Sequence, residues 1–240
     1  MRASTRTGSA LQEHFMHMHD YRATGTLVLD RVTPVIEALF GAFALNALRS
    51  DDGFVSIARI ARHCDPQWTD VHAHLVRLAG RLDVPFHDDG KQSMTPILQA
   101  LAMHFRVQRD DAWRACIECG IFHGPADLDR LFLLASRFND GHNLQAITLE
   151  VSWNDDQQKL FRCGGVGVYI SRELRLSASS TDLVALGANL RKALQARDID
   201  TCASLIATEM TGLLASIHDH GLQRQMRHRV AEKLTATSWQ

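Results

Sequence analysis

Cys116-x2-Cys119-x3-His123 is the tightest grouping of metal-ligating residues in the chain. Two thiolates and an imidazole at that spacing supply three of the four ligands of a structural zinc site, with His142 or Cys163 as the fourth. No second CxxC follows, and Cys116 and Cys119 fall one turn apart on an expected helix, where a free thiol more often packs as a small apolar group. Core packing is the favoured reading and zinc the alternative. Cys163–Gly164–Gly165–Val166–Gly167 is the second chemical signal. Glycines in a strand-to-helix turn let a nucleotide cofactor approach the backbone, which makes Gly164, Gly165 and Gly167 candidate cofactor contacts. Arg162 stands where such a motif wants an acid, and Val168–Tyr169–Ile170 continues as strand instead of opening a helix. A bulge or tight bend between strands is favoured. His14, His17 and His19 lie beside Glu13 and Asp20, with His14 and His17 on one helix face. Among 13 histidines in 240 residues such neighbours arise by chance. Solvated or interface histidines are favoured over a metal or haem site, and they could make association sensitive to pH near 6 to 7. His218 and His220 are as weak. No Ser–His–Asp or carboxylate pair can be argued from spacing alone.

The elements that must hold these groups follow from apolar periodicity. Residues 1–9 read as a frayed tail. Leu11–Tyr21 reads as a helix. Thr33–Pro34 opens a second, apolar on more than one side, which should run to about Arg49 with Thr33 as its N-cap. Residues 54–95 read as a winged helix: a short helix over Ser56–His63, a turn at Cys64–Asp65–Pro66 with Asp65 as cap, and a longer helix with Trp68, Val71, Leu75, Leu78 and Leu82 on one stripe. A hairpin over Val84–Thr95, with Asp89–Gly90 at its tip, completes it. Helices follow over Pro96–Phe105, Asp111–Cys119 and Pro125–Phe138. The period changes to two at Ile147, Leu149, Val151 and Trp153. With Lys159–Cys163 and Val166–Leu176, interrupted by Gly164–Gly165, these predict a three-stranded antiparallel meander. Helices over Thr181–Arg197, Thr201–Asp219 (capped by Asp200) and Leu222–Leu234 end the chain, the last basic through Arg224, Arg227, Arg229 and Lys233. Leu222, Met226, Val230 and Leu234 give that helix a docking stripe.

A winged helix reads DNA with the early solvent-facing residues of its second helix. Here Gln67, Thr69, Asp70, Ala73 and Arg77 would meet the bases, while Arg77, Arg81 and, in the wing, Lys91 would hold phosphates, so that Thr69, Arg77, Arg81 and Lys91 are the candidate nucleic-acid contacts. Asp70 and the tip carboxylates Asp88 and Asp89 oppose a phosphate backbone, so binding to a polypeptide is favoured. The runs Val35-Ile-Glu-Ala-Leu-Phe-Gly-Ala-Phe-Ala-Leu-Asn-Ala-Leu48, Val55-Ser-Ile-Ala-Arg-Ile-Ala-Arg-His63 and His74-Leu-Val-Arg-Leu-Ala-Gly-Arg-Leu82 resemble the N-terminal dimerisation domain of class I S-adenosylmethionine-dependent methyltransferases. The resemblance covers about residues 20–138. It implies homodimerisation through the apolar helix and a catalytic Rossmann-like half with an S-adenosylmethionine site. Only 73 residues follow Gly167, and they read as helices, so a complete doubly wound sheet does not fit.

Composition is that of an ordinary globular chain, 45% apolar and 22% charged with a net charge of −1, which excludes a polycation that binds nucleic acid by bulk charge. Five cysteines, an odd number without regular spacing, fit a reducing compartment better than a disulfide framework. No apolar stretch reaches the roughly 20 residues of a spanning helix, so a soluble cytoplasmic protein with no membrane partner is expected. The fold expected is mainly α (α+β). A helical domain over 10–138 contains the winged helix, and residues 146–240 form a meander followed by three helices, with a soft boundary near 139–145. The expected function is a methyltransferase-like dimerisation and partner-binding accessory module in small-molecule or peptide biosynthesis, a homodimer through residues 11–48, with no cofactor. S-adenosylmethionine and zinc are the two cofactors its motifs admit. A winged-helix transcriptional regulator, with residues 139–240 as effector or dimerisation domain, is the alternative, and a peptide adding a strand to the wing edge is a third reading.

Overall fold

A computed structural model describes residues 21–46, 54–60, 66–87, 93–118, 120–155 and 162–236. The chain is mainly α with one antiparallel sheet. Its strands are β1 (Tyr21–Val28), β2 (Phe54–Ile60), β3 (Ala146–Asp155), β4 (Arg162–Ser171) and β5 (Arg175–Ser179), in the order β2-β1-β3-β4-β5. Its helices are α1 (Pro34–Phe40), α2 (Trp68–Arg81), α3 (Met94–His104), α4 (Asp111–Glu118), α5 (Leu128–Arg137), α6 (Ser180–Gln195), α7 (Ile199–Ala215) and α8 (His220–Ala236).

Register sorts the sheet into two faces. Directly opposed residues of an antiparallel pair share a face. Ala23, Gly25 and Leu27 oppose Val151, Leu149 and Ile147, which in turn oppose Val166, Val168 and Ile170. This face joins α1–α5 in one core, where Leu27, Ile36, Leu39, Trp68, Leu75, Leu98, Leu131 and Phe138 are fully enclosed. Thr24, Thr26, Thr148, Glu150, Ser152 and Tyr169 alternate onto the other face. Gly25 is required where it stands, because a Cβ there would overlap the Thr148 carbonyl of the neighbouring strand.

The three C-terminal helices and an antiparallel meander are present, but the strands differ from those expected: β4 runs through Gly164–Gly165 without interruption, the strand expected over Val166–Leu176 is divided between β4 and β5, and residues 159–161 lie outside the described residues. Four expectations for the N-terminal half do not match. The helix expected over Ser56–His63 is strand β2 across 54–60, fully paired with β1, and residues 61–65 lie outside the described residues. Ile57 and Ile60 are three apart, which suits a helix, but β1 supplies a ladder that decides the local conformation. The wing is absent among the described residues: Val84–His87 form no strand, α3 begins at Met94, and Asp88–Gln92 are not described. The apolar helix from Pro34 ends at Phe40, passes through a 3-10 turn to Phe43 and reverses at Ala44 in the left-handed region (φ 50°). Its side chains Val35, Ile36, Leu39, Phe40 and Phe43 are 0% exposed, so the chain's own core uses the face that 11–48 was expected to offer a second copy. Residues 11–20, 47 and 48 lie outside the described set, as does the Leu11–Tyr21 helix apart from Tyr21, which opens β1. Finally, β1 pairs with β3, so the 10–138 region and the 146–240 region share one sheet across the expected boundary.

Caps also moved. Asp198 caps α7 by accepting from the Thr201 amide at 2.9 Å, in place of Asp200. Gln67 and Asp70 form the start of α2, with the Gln67 amide donating to Asp70 Oδ2 at 2.9 Å; Asp65 is not described. Asp127 starts α5 three residues after Gly124, and Pro125 instead bridges to Gln67.

Candidate functional site

The glycine run does not form a cofactor turn. Gly164, Gly165 and Gly167 lie inside the uninterrupted strand β4. Gly164 opposes Trp153, and a Cβ there would overlap the indole, so the glycine makes room for a ring on the core face. Gly165 lies on the polar face, where its amide donates to Ser180 Oγ at 3.0 Å. Gly167, on the same face, is exposed, and a Cβ there would meet nothing. The bulge or tight bend expected at these glycines is not there either, because β4 pairs residue by residue with β3 through all three; the Trp153 ring accounts for Gly164.

Of the zinc candidates, Cys116 is half-buried in α4, His123 is exposed in the loop before α5, and Cys119 is not described. The described His, Cys, Asp and Glu residues hold no metal-like cluster. His14, His17 and His19 lie outside the described residues.

Two of the four nucleic-acid candidates come together. α1 and α2 enclose a cleft of 190 Å³ lined by Pro34, Glu37, Ala38, His74, Arg77, Leu78 and Arg81. Residues 74, 77, 78 and 81 recur at helical spacing, which brings His74, Arg77 and Arg81 to one side of α2. Thr69 is exposed in the first turn of the same helix, and Lys91 is not described. Arg81 Nη1 donates to Glu37 Oε2 at 3.2 Å with both side chains more than half exposed, a contact worth little in stability but enough to occupy the guanidinium. Glu37 was missed in sequence; its one signal was a lone acid in an apolar helix. Arg77 forms no ion pair among the described residues. Gly41 leaves the space that the His74 ring fills, 3.1 Å from where a Cβ would stand.

His74 Nδ1 is buried without a well-formed hydrogen bond among the described residues. Desolvation, and then repulsion from Arg77, hold its pKa below the ordinary imidazole value of 6.5; the Ala38 backbone and Asp70 oppose the shift without cancelling it. The unfolded chain therefore takes up a proton below pH 6.5 that the folded chain refuses. Stability from this group is complete above 6.5 and is lost as the pH falls through the folded value. Urea midpoints measured between about pH 7.5 and 5.5 should fall with pH, less steeply in His74→Gln and less steeply in Arg77→Ala. An unchanged slope in both variants would show that burial beside Arg77 is not the cause. Chemically, the cleft offers a neutral imidazole and one open guanidinium, enough for a single carboxylate or phosphate oxygen. Its volume falls below the roughly 300–1,000 Å³ of pockets that enclose a nucleotide-sized ligand.

Sequence reading missed a buried constellation around His142. The ring is 0% exposed, with Nδ1 2.9 Å from Asp140 Oδ1 and 3.4 Å from Thr33 Oγ1, and Nε2 3.1 Å from the Ala135 carbonyl oxygen. A nucleophile–histidine–acid relay needs hydroxyl and carboxylate on opposite ring nitrogens. Here both share Nδ1, Nε2 is occupied by a carbonyl, and solvent has no access. The role is structural: Asp140 Oδ2 also accepts from the Val35 amide at 3.1 Å and so caps α1 from across the fold. Thr33 is the N-cap residue expected, but its hydroxyl makes no cap bond and faces His142 instead.

Asp129 and Arg175 pair through Arg175 Nε at 2.8 and 3.0 Å, joining α5 to β5. Burial pushes the Asp129 carboxyl up, and Arg175 pulls it back only in part. His218, whose Nδ1 lies 2.9 Å from the Arg172 carbonyl oxygen, is close enough to act on it as a charge.

The largest anomaly is apolar. Nine of the twelve large hydrophobic side chains exposed among the described residues lie between Leu183 and Leu234, with Leu183 and Val184 at 70% and 72%. Across α6, α7 and α8 only Ala193, Cys202 and Leu214 are buried, and α8 buries none. No helix among the described residues is long and apolar enough to cross a membrane. No family model, curated protein or solved structure matches the chain.

Proposed function

We propose that the chain is a binding and assembly module that joins another polypeptide through the outer faces of α6–α8. The observation that carries this reading is the apolar exposure of those helices. Helices of 16 and 17 residues gain most of their stability in proteins from packing an apolar face, and these three bury only Ala193, Cys202 and Leu214 among the described residues. Fully burying a large apolar side chain stabilises by about 1.5–3 kcal/mol, so a surface with nine such groups, 42% to 72% exposed, strongly favours being covered. An accessory role in small-molecule or peptide biosynthesis is the setting that the methyltransferase resemblance implies, and it belongs to the same proposal. Binding, not methyl transfer, is favoured because Gly164, Gly165 and Gly167 lie inside the paired strand β4 and not in a strand-to-helix turn.

Isothermal titration with S-adenosylmethionine tests it: no heat beyond dilution is expected, and saturable binding would restore a catalytic role. DNA binding is the second reading, favoured by the open Arg77 and by Arg224 and Arg227 on exposed α8. It requires a sequence-specific mobility shift at moderate salt that Arg77→Ala or Arg227→Ala abolishes.

A further inference from the structure

We infer that the polypeptide covering this surface is a second copy of the same chain, with α7 of each protomer seated against α8 of its partner. The inference rests on the partner-binding reading above and names its occupant. Three observations carry it. The first is a seam: Ile199, Ala203, Ile206, Met210 and Leu213 recur in steps of four and three along α7, the spacing of a helix that packs lengthwise on another helix. Ile199, Ile206 and Leu213 are 68%, 51% and 60% exposed, so the described residues leave most of that seam uncovered. On α8, Leu222, Met226 and Leu234 form the matching stripe, 47%, 42% and 51% exposed.

The second observation is charge. α7 carries Asp200 and Glu209 and no basic residue, whereas α8 carries Arg224, Arg227, Arg229 and Lys233 against the single acid Glu232. Arg229 is held by Glu232 at 2.7 Å, while Arg224 and Arg227 make no ion pair among the described residues. An α7 on α7 contact would place like charges together; α7 on α8 of a second copy places opposite ones together, twice, by two-fold symmetry. With a net charge of −1 the copies do not repel one another at long range. The third observation is extent. Six large apolar side chains on α7 and α8, 42% to 68% exposed, line the two faces of that contact in each protomer.

The full chain measured by light scattering after gel filtration, at micromolar concentration, should give twice the chain mass. Ile206→Asp on α7 and Met226→Asp on α8 should each weaken the dimer at least tenfold, with helical content unchanged by circular dichroism because both positions are exposed. A dimer broken by Ile206→Asp but indifferent to Met226→Asp overturns the α7–α8 pairing, and a dimer indifferent to both overturns the inference outright. A wild-type monomer also overturns it. A hydrophobic dye then separates the two proposals: a monomer whose dye binding falls on Ile206→Asp keeps its apolar face open to a different protein. A monomer that binds no dye covers the face itself, and the partner-binding reading fails as well.

Discussion

Asp140→Ala should lower the unfolding free energy by about 1.5–5 kcal/mol, although the residue lies in a loop with no regular structure. About 1–3 kcal/mol comes from stranding a nitrogen of a fully enclosed ring, and about 0.5–2 kcal/mol from the lost cap of α1. The carboxylate contacts the Val35 amide with one oxygen and His142 Nδ1 with the other. Without it, Nδ1 keeps only the Thr33 hydroxyl at 3.4 Å. The surrounding loop gives little room for compensation: Asn139 Oδ1 accepts from the Gly141 and Asn143 amides, the His142 carbonyl accepts from the Asp30 amide at 2.9 Å, and Arg31 Nε donates to the Gly141 carbonyl at 3.2 Å. Asp140→Asn keeps an acceptor of the same shape and should recover more than half of the loss. Urea denaturation followed by circular dichroism reads both variants. A cost for Asp140→Ala no larger than that of an ordinary surface substitution, within about 0.5 kcal/mol, would show that the loop does not hold α1 to the sheet.

Trp68→Ala should cost about 3–5 kcal/mol, the range for truncating a large aromatic in a packed core. Trp68 is 1% exposed, and its ring meets Phe122 edge to face with centroids 5.0 Å apart. The same residue begins α2, and its amide donates to the Gly124 carbonyl at 3.0 Å while the Ala126 amide donates to the Pro66 carbonyl at 2.7 Å. Phe122 in turn lies under the Arg130 guanidinium at 5.7 Å, and Arg130 reaches the Ile121 carbonyl. One indole thus ties the segment before α5 to the first turn of α2. Hydrogen exchange should show the Ala126 amide losing protection in Trp68→Ala well beyond the change at Leu149 in the sheet. Trp68→Phe should retain most of both. Equal deprotection of the two amides would mean that the ring contributes only bulk.

Periodicity revealed the elements whose apolar faces meet a single partner layer. Ile147, Leu149 and Val151 alternate because one sheet face is enclosed and the other is not, and α2 has a clean stripe because only one side of it is covered. The misread elements are those whose conformation depends on distant residues. β1 hides its alternation because its core face carries the small Ala23 and Gly25, one of them forced by the approach of Thr148. β2 resembles a helix until β1 pairs with it. The α1 cap lies 105 residues from the amide it serves, so no local pattern announces it. For the site, Arg77 and Arg81 were legible as charges off the apolar stripe, whereas the neutral state that burial favours for His74 and the pairing of Glu37 required the packing of α1. The glycines misled because a residue without a side chain suits a cofactor and a tryptophan ring equally well.

The place of β1 in the sheet has a consequence for synthesis. Its two hydrogen-bonding edges are satisfied by segments made at very different times: β2 follows within the next few dozen residues, but β3 leaves the ribosome more than a hundred residues after β1. A nascent chain must therefore carry an open strand edge through most of its elongation, which favours aggregation and slow closure. Overproduction should be limited by chaperone supply, and a fragment cut before Ala146 should precipitate unless a peptide carrying the β3 sequence is supplied with it.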